Sequence, residues 1–177
     1  MPDRPTAARI TVGDELPPLR VPVTARTIVM GASASRDWQP QHHDHEWAVR
    51  RSGTGGIFLN TPAQAGWIER FLTDWSGPRG RLGRMEFRMR RSVRPGDELC
   101  FTGVVRSLAQ DGTGCWWARV DVELSVDGER VTSCAANLAV PATDDDNPWA
   151  REGAAWRPLP VPATGGGTHV SRSDPYR

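Results

Sequence analysis

No stretch of the chain approaches eighteen apolar residues, and no apolar segment follows the first Met. Neither a membrane-spanning helix nor a cleaved leader is therefore expected, and the sequence predicts a cytoplasmic protein. Cysteine is scarce: Cys100, Cys115 and Cys134 are far apart and odd in number, which argues against a disulfide framework and a zinc ribbon and for reduced thiols. Charge of one sign is lacking too. The 22 basic and 21 acidic residues leave a net +1, so no overall field favours nucleic acid or a membrane surface, and neither is expected as a partner. Lysine is absent and every basic residue is Arg, which fits a GC-rich coding bias and carries no mechanistic weight. There is no internal repeat.

The 177 residues suffice for one domain with a real core. Residues 82–140 read as β structure. Met85, Phe87 and Met89 alternate with Glu86, Arg88 and Arg90. After a turn at RPGDE (94–98) comes LCFTGVVRSL, then a second turn at 109–114. Trp116, Ala118, Val120, Val122, Leu124 and Val126 next alternate with Trp117, Arg119, Asp121 and Glu123. Asp127-Gly128 marks a tight hairpin before VTSCAANLAV. The expectation is a four-strand antiparallel meander. Upstream, Ala65, Ile68, Leu72 and Trp75, with Phe71 beside them, recur at helical spacing over 58–75. Asn60 stands as N-cap, Pro62 in the first turn and Gly77-Pro78 as the stop. Thr24 and Asp44 are candidate caps of two shorter helices. A long helix with an antiparallel sheet wrapped round it is an α+β arrangement. From Pro141 onward the composition changes, with ten Pro or Gly, an acidic triplet and GGG. The expected division is a domain over 1–140 and a Pro/Gly-rich tail over 141–177, extended or partly disordered and anchored by Trp149 and Trp156.

The segment RDWQPQHHDHEWA (36–48) concentrates the polar chemistry. A metal site would need more than His42, His43 and His45, because no distant Cys or His pair completes a tetrahedron and His169 lies in the tail. No metal is expected. Local composition by itself favours a solvated loop, with Trp38 and Pro40 turned inward. The third reading is a general acid/base dyad: Asp37 and His42 flank a bend at Pro40, where a carboxylate and an imidazole can converge on one water.

The pattern D-x-Q-P-x-H-x-D, as Asp37, Gln39, Pro40, His42 and Asp44, resembles the hydratase motif of the MaoC-like (R)-specific enoyl-CoA hydratase/dehydratase family. The resemblance runs from about residue 12 to 141, and relatives usually carry Asn where Gln39 stands. It is most similar to the small actinobacterial subunits that hydrate steroid side-chain enoyl-CoA esters. The resemblance implies a hot-dog fold, a long central helix wrapped by an antiparallel sheet. It also implies hydration of a trans-2-enoyl-CoA to the 3-hydroxyacyl-CoA, or the reverse dehydration, with Asp37 and His42 holding the water. A main-chain N–H within Ile57 to Asn60, at Leu59 or Asn60, is implied as the donor to the thioester carbonyl, a place where a helix N-terminus offers free N–H groups and a positive dipole end. No cofactor is implied beyond the CoA of the substrate. The implied assembly is a homodimer, or a heteromer with a second MaoC-like chain.

Asp44 reads first as the N-cap of the next helix, and His43 and His45 as surface residues. Arg79, Arg81, Arg84, Arg88, Arg90, Arg91 and Arg94 crowd together; they suit either the phosphates of CoA or the solvent face of a strand. Trp47, Trp67 and Trp75 suit an apolar acyl tunnel, a core or an interface. Two alternatives stay open: a thioester enzyme of another type, such as an acyl-carrier-protein 3-hydroxyacyl dehydratase, and a non-catalytic partner subunit of a heteromeric hydratase.

Overall fold

Alternating side chains over 81–140 build most of one antiparallel sheet. The structure, a computed structural model, describes residues 5–159. In chain order come β1 (Glu15–Pro22), α1 (Ala25–Ala34), α2 (His45–Trp47), α3 (Thr61–Ser76), β2 (Arg81–Met89), β3 (Glu98–Gln110), β4 (Trp116–Val126) and β5 (Glu129–Val140). Among the described residues no helix is long and apolar enough to cross a membrane.

Strands β3, β4 and β5 form a meander. Asp127 and Gly128 turn the last hairpin with φ of 52° and 79°, the left-handed geometry that Asp-Gly tolerates. The expected four-strand meander is corrected at its first member. The sheet order is β1-β3-β4-β5-β2, so β2 pairs with β5 (Met85 opposite Ala136) and not with β3. The segment after β2 is anchored elsewhere and cannot act as a hairpin turn: Arg90 donates its N–H to the Val131 carbonyl, and the Val93 carbonyl accepts from Leu59, both at 2.8 Å. Strand β1 escaped the alternation test because it contains Pro17 and Pro18. It occupies the free edge beside β3, and its register breaks between Leu16 and Leu19, where the prolines stand. Proline is tolerated in that place because an edge strand leaves one row of N–H groups unpaired.

Helix α3 lies on the inner face of this sheet. Ile68 and Leu72 are fully buried, and the Phe71 ring stands 5.8 Å from that of Phe101. A side chain in place of Gly103 would put its Cβ 3.0 Å from the Phe71 ring, so glycine lets helix and sheet close. Each such apolar side chain contributes about 1.5–3 kcal/mol on burial. Ile68, Phe71 and Leu72 are buried as expected, while Gln64 and Ser76 are buried in place of Ala65 and Trp75, and the Thr132 hydroxyl donates to Gln64 Oε1 at 2.8 Å. A long helix wrapped by an antiparallel sheet is the hot-dog arrangement.

The outer face carries exposed ion pairs such as Arg106–Asp121 at 3.1 Å, which stabilise little. One corner is covered. Residues 141–159 run over it, and Trp156 stacks on Trp117 with ring centroids 5.1 Å apart. The Arg81 guanidinium sits 3.6 Å from the Trp156 ring and 5.1 Å from that of Trp149. Trp149 donates Nε1–H to the Gly80 carbonyl at 3.1 Å, and Asn137 donates to the Leu159 carbonyl at 2.9 Å. Trp117 does point outward with Arg119, yet it is 2% exposed because this strap covers it. The rest of the expected tail, 160–177 with His169, lies outside the described residues.

Candidate active site

Thr24 starts α1 through a capping box with Thr27. Past its end, Arg36 takes a left-handed φ of 55°, and the Asp37 N–H reaches back to the Ala32 carbonyl at 2.9 Å. Pro40 then opens a single tight turn, Pro40–His42, which ends on a buried histidine. His42 Nδ1 lies 2.8 Å from the Phe58 carbonyl. A carbonyl only accepts, so Nδ1 carries the hydrogen and Nε2 is left to face the site. There it meets Asp37 Oδ2 at 3.3 Å and the Gln41 amide nitrogen at 3.3 Å. His42 is 4% exposed at its side chain and Asp37 22%, so one partner is held in the core while the other touches solvent.

The N-terminus of α3 arrives beside this pair. The Asn60 side chain caps it, accepting from the Ala63 N–H at 3.3 Å and donating to Asp37 Oδ2 at 3.0 Å. The expectation that Leu59 offers a free main-chain donor is corrected: its N–H is engaged by the Val93 carbonyl at 2.8 Å. Among the described residues the N–H groups of Asn60 and Thr61 carry no protein partner, and Thr61 is the first residue of the helix, where N–H groups are unmatched by geometry. A cleft of about 310 Å³ opens here. Phe58, Leu59 and Met89 give it apolar walls, Thr61 lies at the helix end, and Arg90 and Arg91 stand along one side.

The other candidates of this segment go elsewhere. Asp44 caps α2, accepting from the Trp47 N–H at 2.9 Å. His43 and His45 are exposed, and among the described residues no group of three or more His, Cys, Asp or Glu is placed to hold a metal ion. Trp38 does not turn inward; it is 67% exposed. Trp67 and Trp75 pack against the main core and Trp47 borders a separate surface cleft with Asp44 and Arg50, so the walls of the Asp37–His42 cleft are Phe58, Leu59 and Met89 instead.

No protein-family model matches the chain. It is 34% identical over 97 residues to the 3-oxo-4,17-pregnadiene-20-carboxyl-CoA hydratase beta subunit of Mycobacterium tuberculosis, a match covering 55% of this chain and 74% of that one. The chain belongs to the MaoC-like hydratase/dehydratase family. Among solved structures, a chain of the ChsH1–ChsH2 complex of M. tuberculosis superposes with a TM-score of 0.67 at 29% identity, covering 73% of this chain and 98% of that one. The MaoC-like dehydratase of Rhodospirillum rubrum superposes with a TM-score of 0.65 at 26% identity, over 74% and 92% of the two chains.

In this MaoC-like chain the arginine cluster divides among several surroundings. Arg81 is held in the tryptophan strap, Arg84 and Arg88 are exposed along β2, and Arg90 and Arg91 border the site. Alternation could not single them out, because β2 ends at Met89. Thr61 left no side-chain signal, since only its main chain is at issue. The amide of Asn60 was readable as a cap but not as a partner of Asp37, a contact that spans 23 residues.

Proposed function

We propose that the chain adds water across the double bond of a trans-2-enoyl-CoA, giving the (R)-3-hydroxyacyl-CoA, or runs the reverse dehydration. The observation that carries this is the 3.3 Å approach of Asp37 Oδ2 and His42 Nε2 at a cleft beside the open end of α3. A water held by the pair gives its proton to Asp37 as its oxygen bonds to C3. The displaced electron pair moves to the thioester oxygen as an enolate. Asp37 then passes the proton across the short contact to the open Nε2 of His42, and Nε2 delivers it to C2, so both side chains end as they began. The enolate oxygen is stabilised by the N–H groups of Thr61 and Asn60 and by the positive end of the α3 dipole. Such chemistry needs a placed water and a polarised carbonyl, and neither a metal nor a redox cofactor enters it.

Phe58, Leu59 and Met89 suit the acyl chain, and Arg90 and Arg91 the phosphates of CoA, through charge-assisted hydrogen bonds. The beta-subunit name of one relative and the two-chain complex of another support a second MaoC-like chain as partner here. The exposed Trp38 beside Asp37, together with exposed Met30, suits a face covered by such a chain.

The test is the loss of enoyl-thioester absorbance with crotonyl-CoA and with a bulky steroid-type enoyl-CoA, for the chain alone and with a candidate partner. Asp37→Asn should lower turnover by at least about 10²-fold with the fold intact. Unchanged turnover in that variant would overturn the assignment. Turnover on an acyl-carrier-protein thioester but on neither CoA ester would move the substrate class to carrier-bound acyl groups.

A further inference from the structure

Asn60 joins two parts of the site that the reaction uses for different purposes. The residue is 1% exposed. The Oδ1 atom accepts from the Ala63 N–H at 3.3 Å, while Nδ2 donates to Asp37 Oδ2 at 3.0 Å and to Ser35 Oγ at 2.8 Å. The orientation of the amide is settled by its partners. A backbone N–H can only donate and an ionised carboxylate only accept, so oxygen must face Ala63 and nitrogen must face Asp37. Both amide hydrogens are used. Ser35 is held in turn, its hydroxyl 2.8 Å from the Gly31 carbonyl. The fit of α1 to this amide is close: a Cβ at Gly31 would stand 2.9 Å from Ala63 Cβ and 3.7 Å from Asn60 Oδ1.

We infer that the Asn60 side chain is the positioning residue of the base: it fixes the rotamer of Asp37 and ties that carboxylate to the helix end that receives the enolate. The inference rests on Asp37 acting as base in the reaction proposed above. Other groups do not replace this contact. Asp37 Oδ2 also meets His42 Nε2 at 3.3 Å, but His42 has to exchange a proton and cannot serve as a constant donor. Among the described residues Asp37 Oδ1 receives only the Gln39 backbone N–H at a long 3.4 Å, and the Gln39 side chain is exposed. Arg36 is exposed beside it in the chain, and Arg90 and Arg91 border the same cleft. Among the described residues no arginine forms an ion pair with Asp37, whose one such contact is His42.

Asn60→Asp separates positioning from capping. The change is isosteric, and aspartate caps helices as well as asparagine does, yet the donor is lost and a second carboxylate faces Asp37. The pH profile of kcat and kcat/KM would be measured for wild type, Asp37→Asn and Asn60→Asp with one enoyl-CoA, using the full chain and whatever partner the wild type needs. The expected result is a kcat lowered about tenfold or more, KM changed less than about threefold, and an acid limb displaced upward by about one pH unit or more, the direction a like charge imposes. Asn60→Ser supplies a second variant that keeps a capping oxygen but cannot reach Asp37; it should lower kcat with KM retained, without the displaced limb. If Asp37→Asn is inactive while both Asn60 variants keep the wild-type kcat and profile, the positioning role is overturned and the dyad stands. If Asp37→Asn stays active, the base assignment fails and this inference with it.

Discussion

The Phe58 carbonyl accepts the Nδ1 hydrogen of His42 at 2.8 Å, and the same two residues meet ring to ring, edge on, at 5.0 Å. A residue that lines the cleft thus sets both the tautomer and the plane of the imidazole. His42→Ala should lower kcat/KM by about 10²–10⁴-fold, the range for a lost acid–base group. Retention of half the wild-type rate would remove His42 from the mechanism.

Arg90 and Arg91 border the cleft; Arg91 approaches Asp97 at 3.9 Å through Nη2, and its buried Nε has no partner among the described residues. Arg90→Ala and Arg91→Ala should each raise KM for an enoyl-CoA about five- to tenfold, the scale of one charge-assisted hydrogen bond partly screened by solvent. The effect should shrink with added salt and be absent with a short thioester of pantetheine. Equal effects on both thioesters would locate these arginines on the acyl side.

Gly31 faces Ala63 so closely that a Cβ would lie 2.9 Å from that of Ala63. Gly31→Val forces α1 and α3 apart, and overpacking of this kind costs about 1–3 kcal/mol. A fall in Tm of several degrees should appear in a thermal scan, together with a loss of kcat as Asp37 and Asn60 separate. An unchanged Tm would show that α1 moves freely.

Trp156 covers Trp117 and stacks on Arg81. Trp156→Ala removes an aromatic pair and a cation–π contact, together worth about 2 kcal/mol. Urea unfolding should report that loss while kcat stays near wild type, because the strap lies on the outer face of the sheet and away from the cleft. A large fall in kcat with no change in stability would contradict this separation.

Asp111 ties the same corner together. Desolvation pushes its carboxyl up, but hydrogen bonds from the Thr113 hydroxyl, the Trp117 indole and the backbone N–H groups of Thr113 and Cys115 outweigh it and bring the pKa down to about 2 from 3.8. The folded state therefore binds its proton less readily than the unfolded chain. Its contribution is fully present above pH 3.8 and is lost as pH falls through about 2. Asp111→Asn should be less stable than wild type at pH 6, with the gap closing in denaturant titrations carried towards pH 2. A gap independent of pH would assign the effect to packing.

Much of the local structure was legible. Thr24, Asp44 and Asn60 each cap the helix they precede, and Asp127-Gly128 turns the hairpin. These signals act over three or four residues, within reach of one side chain. The pairing of Asp37 with His42 was also readable, since five residues and one proline separate them. The edge strand β1 was not, because Pro17 and Pro18 interrupt its alternation. Nor was the cover over Trp117, which comes from residues about forty positions away.

The sequence by itself determined where helices begin and stop, which strands alternate, and that a carboxylate and an imidazole share a bent loop, because each of these is decided by short-range sterics and hydrogen bonding. Only the tertiary structure decided that β2 crosses to β5, that Leu59 gives its N–H to Val93 while those of Asn60 and Thr61 have no partner among the described residues, and that the Asn60 amide turns towards Asp37. Those outcomes depend on which distant groups are brought within 3 Å when the core closes, and no spacing along the chain encodes that distance.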